Sequence, residues 1–128
     1  MNKLTNKELK KLESLFTKIQ RNIESGLNTL FITNPIRVAK VWKRDQGGGG
    51  KSISITGDTI EKAAVNFSSI SGKQLPQSSI AEELKTKSNK FHAMGVSVIA
   101  HPMNPFCPSS HMNVRIFLEL SKNNLIEN

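Results

Sequence analysis

A single change of hydrophobic period divides this chain into two parts and limits the folds that it can adopt. Near the start, apolar residues recur at three- and four-residue steps, as on one face of an amphipathic helix: Leu9, Leu12, Phe16, Ile19 and Ile23. Further along, residues 52–56 and 113–120 alternate polar and apolar side chains, which is the period of a half-buried strand. The chain is therefore predicted to be α+β, with an N-terminal helix followed by an antiparallel sheet.

The two ends of the predicted helix carry recognisable signals. Thr5 stands as N-cap, and Glu8 three residues later completes a capping box, in which each residue satisfies a backbone N–H of the other. Gly26 is a frequent kind of stop signal. The helix is therefore predicted to lie between Thr5 and Gly26.

The predicted strands follow one another through short connections. Residues 38–42 and 52–56 flank the run from Gly47 to Gly50, which is predicted to be the turn of a hairpin. Further strands are predicted at 62–68 and 93–100, loops at 71–80 and 101–110, and a short helical turn at 81–85. The glycine run allows two interpretations, a flexible turn or a place where backbone passes close to a bulky ligand.

The end of the glycine run, Gly50-Lys51-Ser52, resembles the end of a phosphate-binding loop. That motif needs a glycine at the position of Asp45 and a helix directly after it, so that the helix N-terminus can hold the phosphates. The alternation of residues 52–56 predicts a strand there instead. A nucleotide site is therefore not expected.

Length and charge narrow the class of protein. A chain of 128 residues suffices for one domain, residues 1–128, ending in a polar tail at 121–128. Eighteen Lys and Arg against ten Asp and Glu give a net charge of +8, which favours an anionic partner such as nucleic acid, phospholipid or a small polycarboxylate. Aromatic residues make up only 5%, which disfavours base stacking and hence a nucleic-acid-binding domain.

Cysteine content and hydropathy indicate the compartment. One cysteine excludes an internal disulfide and suits a reducing environment. No apolar run approaches the roughly 20 residues of a membrane-spanning helix, and the N-terminus lacks the apolar core of a signal peptide. The sequence predicts a cytoplasmic protein without a membrane span.

The densest chemistry lies between Ser97 and Arg115. Asn113 and Arg115 are two residues apart on one predicted strand and so share a face, and Ser97 lies on the strand before it. An arginine fork with neutral serine and asparagine donors forms a carboxylate-binding pocket. The alternative is that Arg115 is a solvated strand residue without a ligand.

Two histidines stand at the ends of these two predicted strands. If the strands are paired, His101 and His111 lie at one end of the sheet, with Cys107 in the loop between them. Such a set could bind a divalent metal. The spacing matches no tight ligand pattern and offers no acidic third ligand, so polar loop histidines are the alternative that the spacing favours.

Three collinear segments resemble the oxygen-dependent coproporphyrinogen III oxidase family. The likeness covers most of residues 1–120, and its last segment is highly specific. The segments are Trp42-Lys43-Arg44 with Gly47–Ser52, then Glu61–Ser68, then Ala93–Ser97 continuing through His101-Pro102 and Asn104-Pro105 to Ser110–Arg115.

This resemblance implies an activity, an oxidant and an assembly. The family converts coproporphyrinogen III, an anionic tetrapyrrole, to protoporphyrinogen IX in haem biosynthesis by oxidative decarboxylation of two propionates. Molecular oxygen is the oxidant, a divalent metal is an optional further cofactor, and no flavin, haem or nucleotide is expected. The family fold is a large antiparallel sheet flanked by helices, in a homodimer.

The resemblance also implies site residues. Ser97, Asn113, Val114 and Arg115 correspond to substrate-binding positions. His111 corresponds to the proton donor, and His101 with His111 corresponds to metal positions.

Two departures from the family pattern limit what the resemblance implies. Ala64 stands where the family usually has glycine, and family members are more than twice as long as this chain. The resemblance therefore implies a truncated relative, inactive by itself and not expected to form the family's dimer. The alternatives are a non-catalytic anion-binding or assembly module, and one half of a split enzyme.

Overall fold

The computed structural model of the chain describes residues 5–73 and 90–120. The predicted helical turn at 81–85, the tail at 121–128 and most of the predicted loop at 71–80 lie outside these residues. Residues 71 and 72 belong to a strand, so the loop prediction was wrong at its start. No helix in the described parts is long and apolar enough to cross a membrane.

The helix α1 spans Asn6–Asn28 and confirms the predicted start. The Thr5 backbone N–H donates to the Glu8 carboxylate at 2.7 Å, and the Glu8 N–H donates to Thr5 Oγ1 at 3.3 Å, which is a complete capping box. The predicted stop at Gly26 was two residues too early. The helix instead ends at Asn28, where Thr29 is the C-cap: its backbone N–H and its hydroxyl both donate to the Gly26 carbonyl.

Five strands follow the helix and form one antiparallel sheet. They are β1 (Ile36–Lys43), β2 (Gly48–Thr56), β3 (Ile60–Gly72), β4 (Lys90–Pro102) and β5 (Ser110–Leu120). Their order in the sheet is their order in the chain, so each strand pairs with its sequence neighbours. The α+β prediction of one helix followed by an antiparallel sheet is confirmed.

The glycine run is not a turn, contrary to the sequence prediction. Arg44–Gly47 forms the connection, closed by hydrogen bonds of 3.0 Å from Arg44 N–H to the Gly48 carbonyl and from Gly47 N–H to the Arg44 carbonyl. Gly47 and Gly48 have φ angles of 113° and 90°, which glycine adopts most readily. Gly48, Gly49 and Gly50 already pair with β1 or β3 as the first residues of β2.

The helix covers one face of the sheet, and the core lies between them. Buried side chains from β3 and β4 pack against Phe16 and the predicted helix stripe, and these are Val65, Met94, Val96 and Val98. Gln20 is also buried and donates from Nε2 to the Lys51 carbonyl at 2.7 Å and the Val65 carbonyl at 2.9 Å. The helix is thereby fixed to the sheet through backbone atoms as well as through apolar contacts.

Candidate functional site

The sheet face opposite α1, here called the open face, carries most of the predicted site residues. Directly opposed residues of neighbouring strands lie on the same face, and alternate residues along a strand share it. The register therefore arranges the open face in cross-strand rows. Three of these rows contain four of the residues that the sequence singled out, namely Ser97, His111, Asn113 and Arg115.

The polar row runs across all five strands. Its members are Lys40, Ser52, Asn66, Ser97 and Asn113, each directly opposite the next. The predicted pair Ser97 and Asn113 thus stands on adjacent strands, where opposed Cβ atoms are about 5 Å apart. A ligand lying on this row meets hydroxyl and amide groups on four strands and an ammonium group on the first.

The glycine row lies next to the polar row. Its members are Trp42, Gly50, Ser68, Gly95 and Arg115, again opposed in sequence. The Trp42 ring lies over Gly50, since a Cβ built there would be 2.6 Å from Trp42 Cζ2. The ring therefore covers Gly50, whereas Gly95 has no side chain, so the backbone at Gly95 is accessible to a flat ligand between the indole and the Arg115 guanidinium.

The histidine row lies on the other side of the polar row. Its members are Val38, Ser54, Ala64, Ile99 and His111. None of the described residues in these three rows is acidic. His111 and Arg115 are four residues apart on β5, about 13 Å at the rise of an extended strand. The open face therefore places an imidazole and a guanidinium at separate points of one surface.

His101 and His111 lie at the same end of the sheet, as the sequence predicted. His111 is opposite Ile99, two residues before His101 on β4, so the two histidines are diagonal neighbours, with Cα atoms about 7–8 Å apart. Both are exposed, and His101 Nδ1 lies 2.9 Å from Ser109 Oγ. Within residues 5–73 and 90–120, no group of three His, Cys, Asp or Glu side chains could hold a metal ion. Cys107 is exposed in the loop.

Val114 is the predicted site residue that does not share the open face. Its neighbours Asn113 and Arg115 point to the open face, so the Val114 side chain lies on the helix face, opposite the buried Val96. Only the Val114 backbone is available to a ligand that contacts Asn113 and Arg115.

A cavity of about 210 Å³ opens at the end of the glycine row. Two arginines, Arg44 and Arg115, line it together with Ser68 and four apolar side chains, Ile70, Phe91, Ala93 and Phe117. Arg44 Nη2 donates to Gln46 Oε1 at 2.6 Å. Its Nη1 is buried and has no hydrogen-bond partner among the described residues.

Sequence reasoning did not identify Arg44, Ser68 and Asn66 as site residues. They lie near Ser97 or Arg115 only because of the register of β1 to β5, and the position of Arg44 also depends on the connection between β1 and β2. The signal that could have found Arg44 is its position in the Trp42–Arg44 segment beside the glycine run.

A second polar cluster lies on the helix face, beside a cavity of about 630 Å³. The Ser69 hydroxyl donates to Glu13 Oε1 at 2.6 Å and lies 3.0 Å from His92 Nε2. Since the single Ser69 proton goes to Glu13, the His92 Nε2 is the donor in the second bond. Burial lowers the pKa of His92, and the Glu13 carboxylate opposes that shift. This cluster joins α1 to β3 and β4, away from the open face.

Comparison with known proteins identifies the family of the chain. A family model described as coproporphyrinogen III oxidase matches residues 11–127. The chain is 42% identical over 108 residues to an oxygen-dependent coproporphyrinogen-III oxidase of Prochlorococcus marinus subsp. pastoris (strain CCMP1986 / NIES-2087 / MED4), and 40% identical over 108 residues to that of Prochlorococcus marinus (strain MIT 9312). Each match covers 84% of this chain and 31% of the relative, so the chain spans about a third of their length. The chain belongs to the coproporphyrinogen III oxidase family.

Proposed function

We propose that the open face binds coproporphyrinogen III and that the chain supplies one wall of an oxidative decarboxylation site. The observation that carries this proposal is the placement of Ser97, Asn113 and Arg115 on adjacent positions of β4 and β5. A carboxylate at this point receives a planar guanidinium fork and two neutral side chains capable of hydrogen bonding. The chain's net charge of +8 favours the approach of a tetracarboxylate.

The glycine row supports a flat ligand in the same place. A macrocycle lying over Gly95, beside the Trp42 ring that covers Gly50, can approach the sheet backbone because Gly95 carries no side chain. Trp42 and Arg115 then stand at opposite ends of the row. We propose that the tetrapyrrole plane lies along the glycine row. Its carboxylates then contact the polar row and Arg115, the last residue of the glycine row.

His111 is proposed as the proton donor. Its imidazole is exposed on the open face, two residues from Asn113 and four from Arg115, so a substrate held by these residues extends toward it. Molecular oxygen is proposed as the oxidant, in line with the names of the two Prochlorococcus marinus relatives, which are oxygen-dependent oxidases.

The described residues do not fit a metal ion at the two histidines. A stable divalent site needs at least three protein ligands, and His101 and His111 supply two. No step of the proposed function therefore involves a metal. We expect any divalent ion to bind weakly, with most coordination positions left to water.

The proposed function also includes a location and an assembly. We propose that the protein acts in the cytoplasm, since its single cysteine, Cys107, is exposed as a free thiol and suits a reducing compartment. The chain alone is expected to self-associate or aggregate instead of forming the homodimer of the family, and analytical ultracentrifugation at two protein concentrations tests this.

Titration with coproporphyrin III, the stable oxidised form of the substrate, tests the proposed site. Loss of a charge-assisted fork in a partly dry site costs on the order of 2 kcal/mol, so we expect Arg115→Ala to weaken binding by roughly thirtyfold. Arg115→Lys should recover only part of this loss, because an ammonium group cannot form the fork.

A matched control separates the site from the overall charge. Arg21 is exposed on α1, and Arg21→Ala removes the same charge from the other side of the molecule. Its affinity for coproporphyrin III should equal that of the wild type. Equal affinity of wild type and Arg115→Ala would remove Arg115 from the binding site and contradict the proposed function.

A further inference from the structure

We propose that the cavity between Arg44 and Arg115 is the subsite in which Arg115 acts: it holds one carboxylate-ended side arm of the ligand, with both guanidinium groups on the same carboxylate. The proposal deepens the proposed function and rests on it for the identity of the ligand. Arg44, which follows the first strand, and Arg115, which lies on the last strand, both line this one cavity together with Ser68.

The Arg44 guanidinium is held in one orientation and has no acidic partner among the described residues. Gln46 holds its Nη2 at 2.6 Å, which orients the guanidinium. The buried Nη1 has no partner among the described residues, and a buried donor without a hydrogen bond is costly. The described residues also offer no hydrogen bond or ion pair to the Arg115 guanidinium. A carboxylate in the cavity would neutralise the charges of both guanidinium groups that line it.

The remaining walls select an apolar stem rather than an inorganic anion. Phe91 and Phe117 stack with ring centroids 5.6 Å apart and an interplanar angle of 17°. Ile70 and Ala93 complete the apolar lining. A short methylene chain buries its surface on these side chains, while a phosphate group would leave them without a contact.

The volume limits how much of a ligand enters. Pockets that enclose a whole drug-sized ligand are roughly 300–1,000 Å³. A cavity of about 210 Å³ is smaller and accepts a side arm, so the macrocycle stays outside on the glycine row. The arm that enters the subsite therefore points away from His111, which lies about 13 Å from Arg115 along β5.

Binding of coproporphyrin III to Arg44→Gln, Arg115→Gln and the double variant tests the shared carboxylate. A hydrogen bond between charged groups is worth about 1.5–3 kcal/mol, so each single change should weaken binding about tenfold or more. Because both arginines act on one group, the double variant should lose clearly less than the product of the two. Arg21→Gln is the matched control and should bind within about twofold of the wild type.

A small probe makes the subsite testable without the macrocycle. We expect 3-phenylpropionate to shift the side-chain Nε–Hε NMR signals of Arg44 and Arg115, and 3-phenylpropanol, which lacks the carboxylate, to leave them unchanged. If coproporphyrin III does not bind but 3-phenylpropionate shifts both signals, the subsite stands and the proposed function fails.

Two outcomes would overturn the subsite while the proposed function stands. In the first, Arg44→Gln binds coproporphyrin III like the wild type while Arg115→Gln does not, and 3-phenylpropionate leaves the Arg44 signal in place. In the second, the losses of the two single variants multiply in the double variant, which shows that the arginines bind different groups.

Discussion

Replacing Gly50 by alanine should destabilise the sheet, whereas the same replacement at Gly26 should stabilise the protein. A Cβ at Gly50 would lie 2.6 Å from Trp42 Cζ2 and 2.8 Å from Trp42 Cε2, and closer still to the Phe67 carbonyl oxygen. The indole ring can rotate away, but the carbonyl belongs to the β2–β3 ladder. A Cβ at Gly26 would have no heavy atom within 4 Å.

The expected magnitudes follow from these surroundings. Overpacking a filled site costs about 1–3 kcal/mol, and the reduced freedom of the unfolded chain returns about 0.4–1 kcal/mol. Gly50→Ala should therefore lower the free energy of unfolding by about 1–2 kcal/mol. Gly26→Ala should raise it by about 0.5 kcal/mol, since alanine is the better helix former and Gly26 lies in the last turns.

Urea unfolding followed by far-ultraviolet circular dichroism measures both changes. The transition midpoints of the two variants should move in opposite directions at an unchanged slope. A midpoint for Gly50→Ala at or above that of the wild type would refute the reasoning, because it would mean that the Trp42 ring and the neighbouring strand do not occupy the space above Gly50.

Three further predictions concern groups outside the open face. Gln20→Leu removes two hydrogen bonds to strand carbonyls, one of them buried, and should cost about 1–3 kcal/mol, measured by urea unfolding. Burial lowers the pKa of His92 below 6.5, so the folded state binds a proton at His92 less readily than the unfolded state does. The free energy of unfolding should therefore decrease as the pH falls below about 6.5, and His92→Gln should reduce this part of the pH dependence. Hydrogen bonds from Thr33 and Ile32 hold the pKa of Asp58 at about 2, so its stabilisation should be complete above pH 3.8 and lost as the pH falls toward 2. Asp58→Asn should lack this acid transition in a thermal unfolding series.

Local signals in the sequence were enough to predict the element types. The capping box at Thr5 and Glu8 depends on residues three positions apart, so it could be read directly from the chain. The alternation in β2 and β5 indicated strands for the same reason. The start of β2 could not be recognised in this way, because Gly48–Gly50 have no side chains and therefore show no alternation.

The placement of Arg44 depends on geometry that the sequence does not display. Its position relative to Arg115 requires the length of the connection after β1, the positive φ of Gly47 and Gly48, and the register of four strand pairs. Ser97 and Asn113 were easier to predict, because they lie on strands that are consecutive in the chain. The shared end of the sheet for His101 and His111 followed from the same pairing.

The order of the strands has a consequence for folding kinetics and for ligand linkage. Ser97 and Asn113 meet within a hairpin, which closes over a short loop and can form early. Arg44 and Arg115 stand at the two ends of the meander, so their cavity exists only after every strand has paired. A ligand in that cavity binds the complete sheet and no partly folded form. Its binding energy is therefore added to the stability of all five strands as one cooperative unit, and hydrogen exchange should slow in β1 as much as in β5.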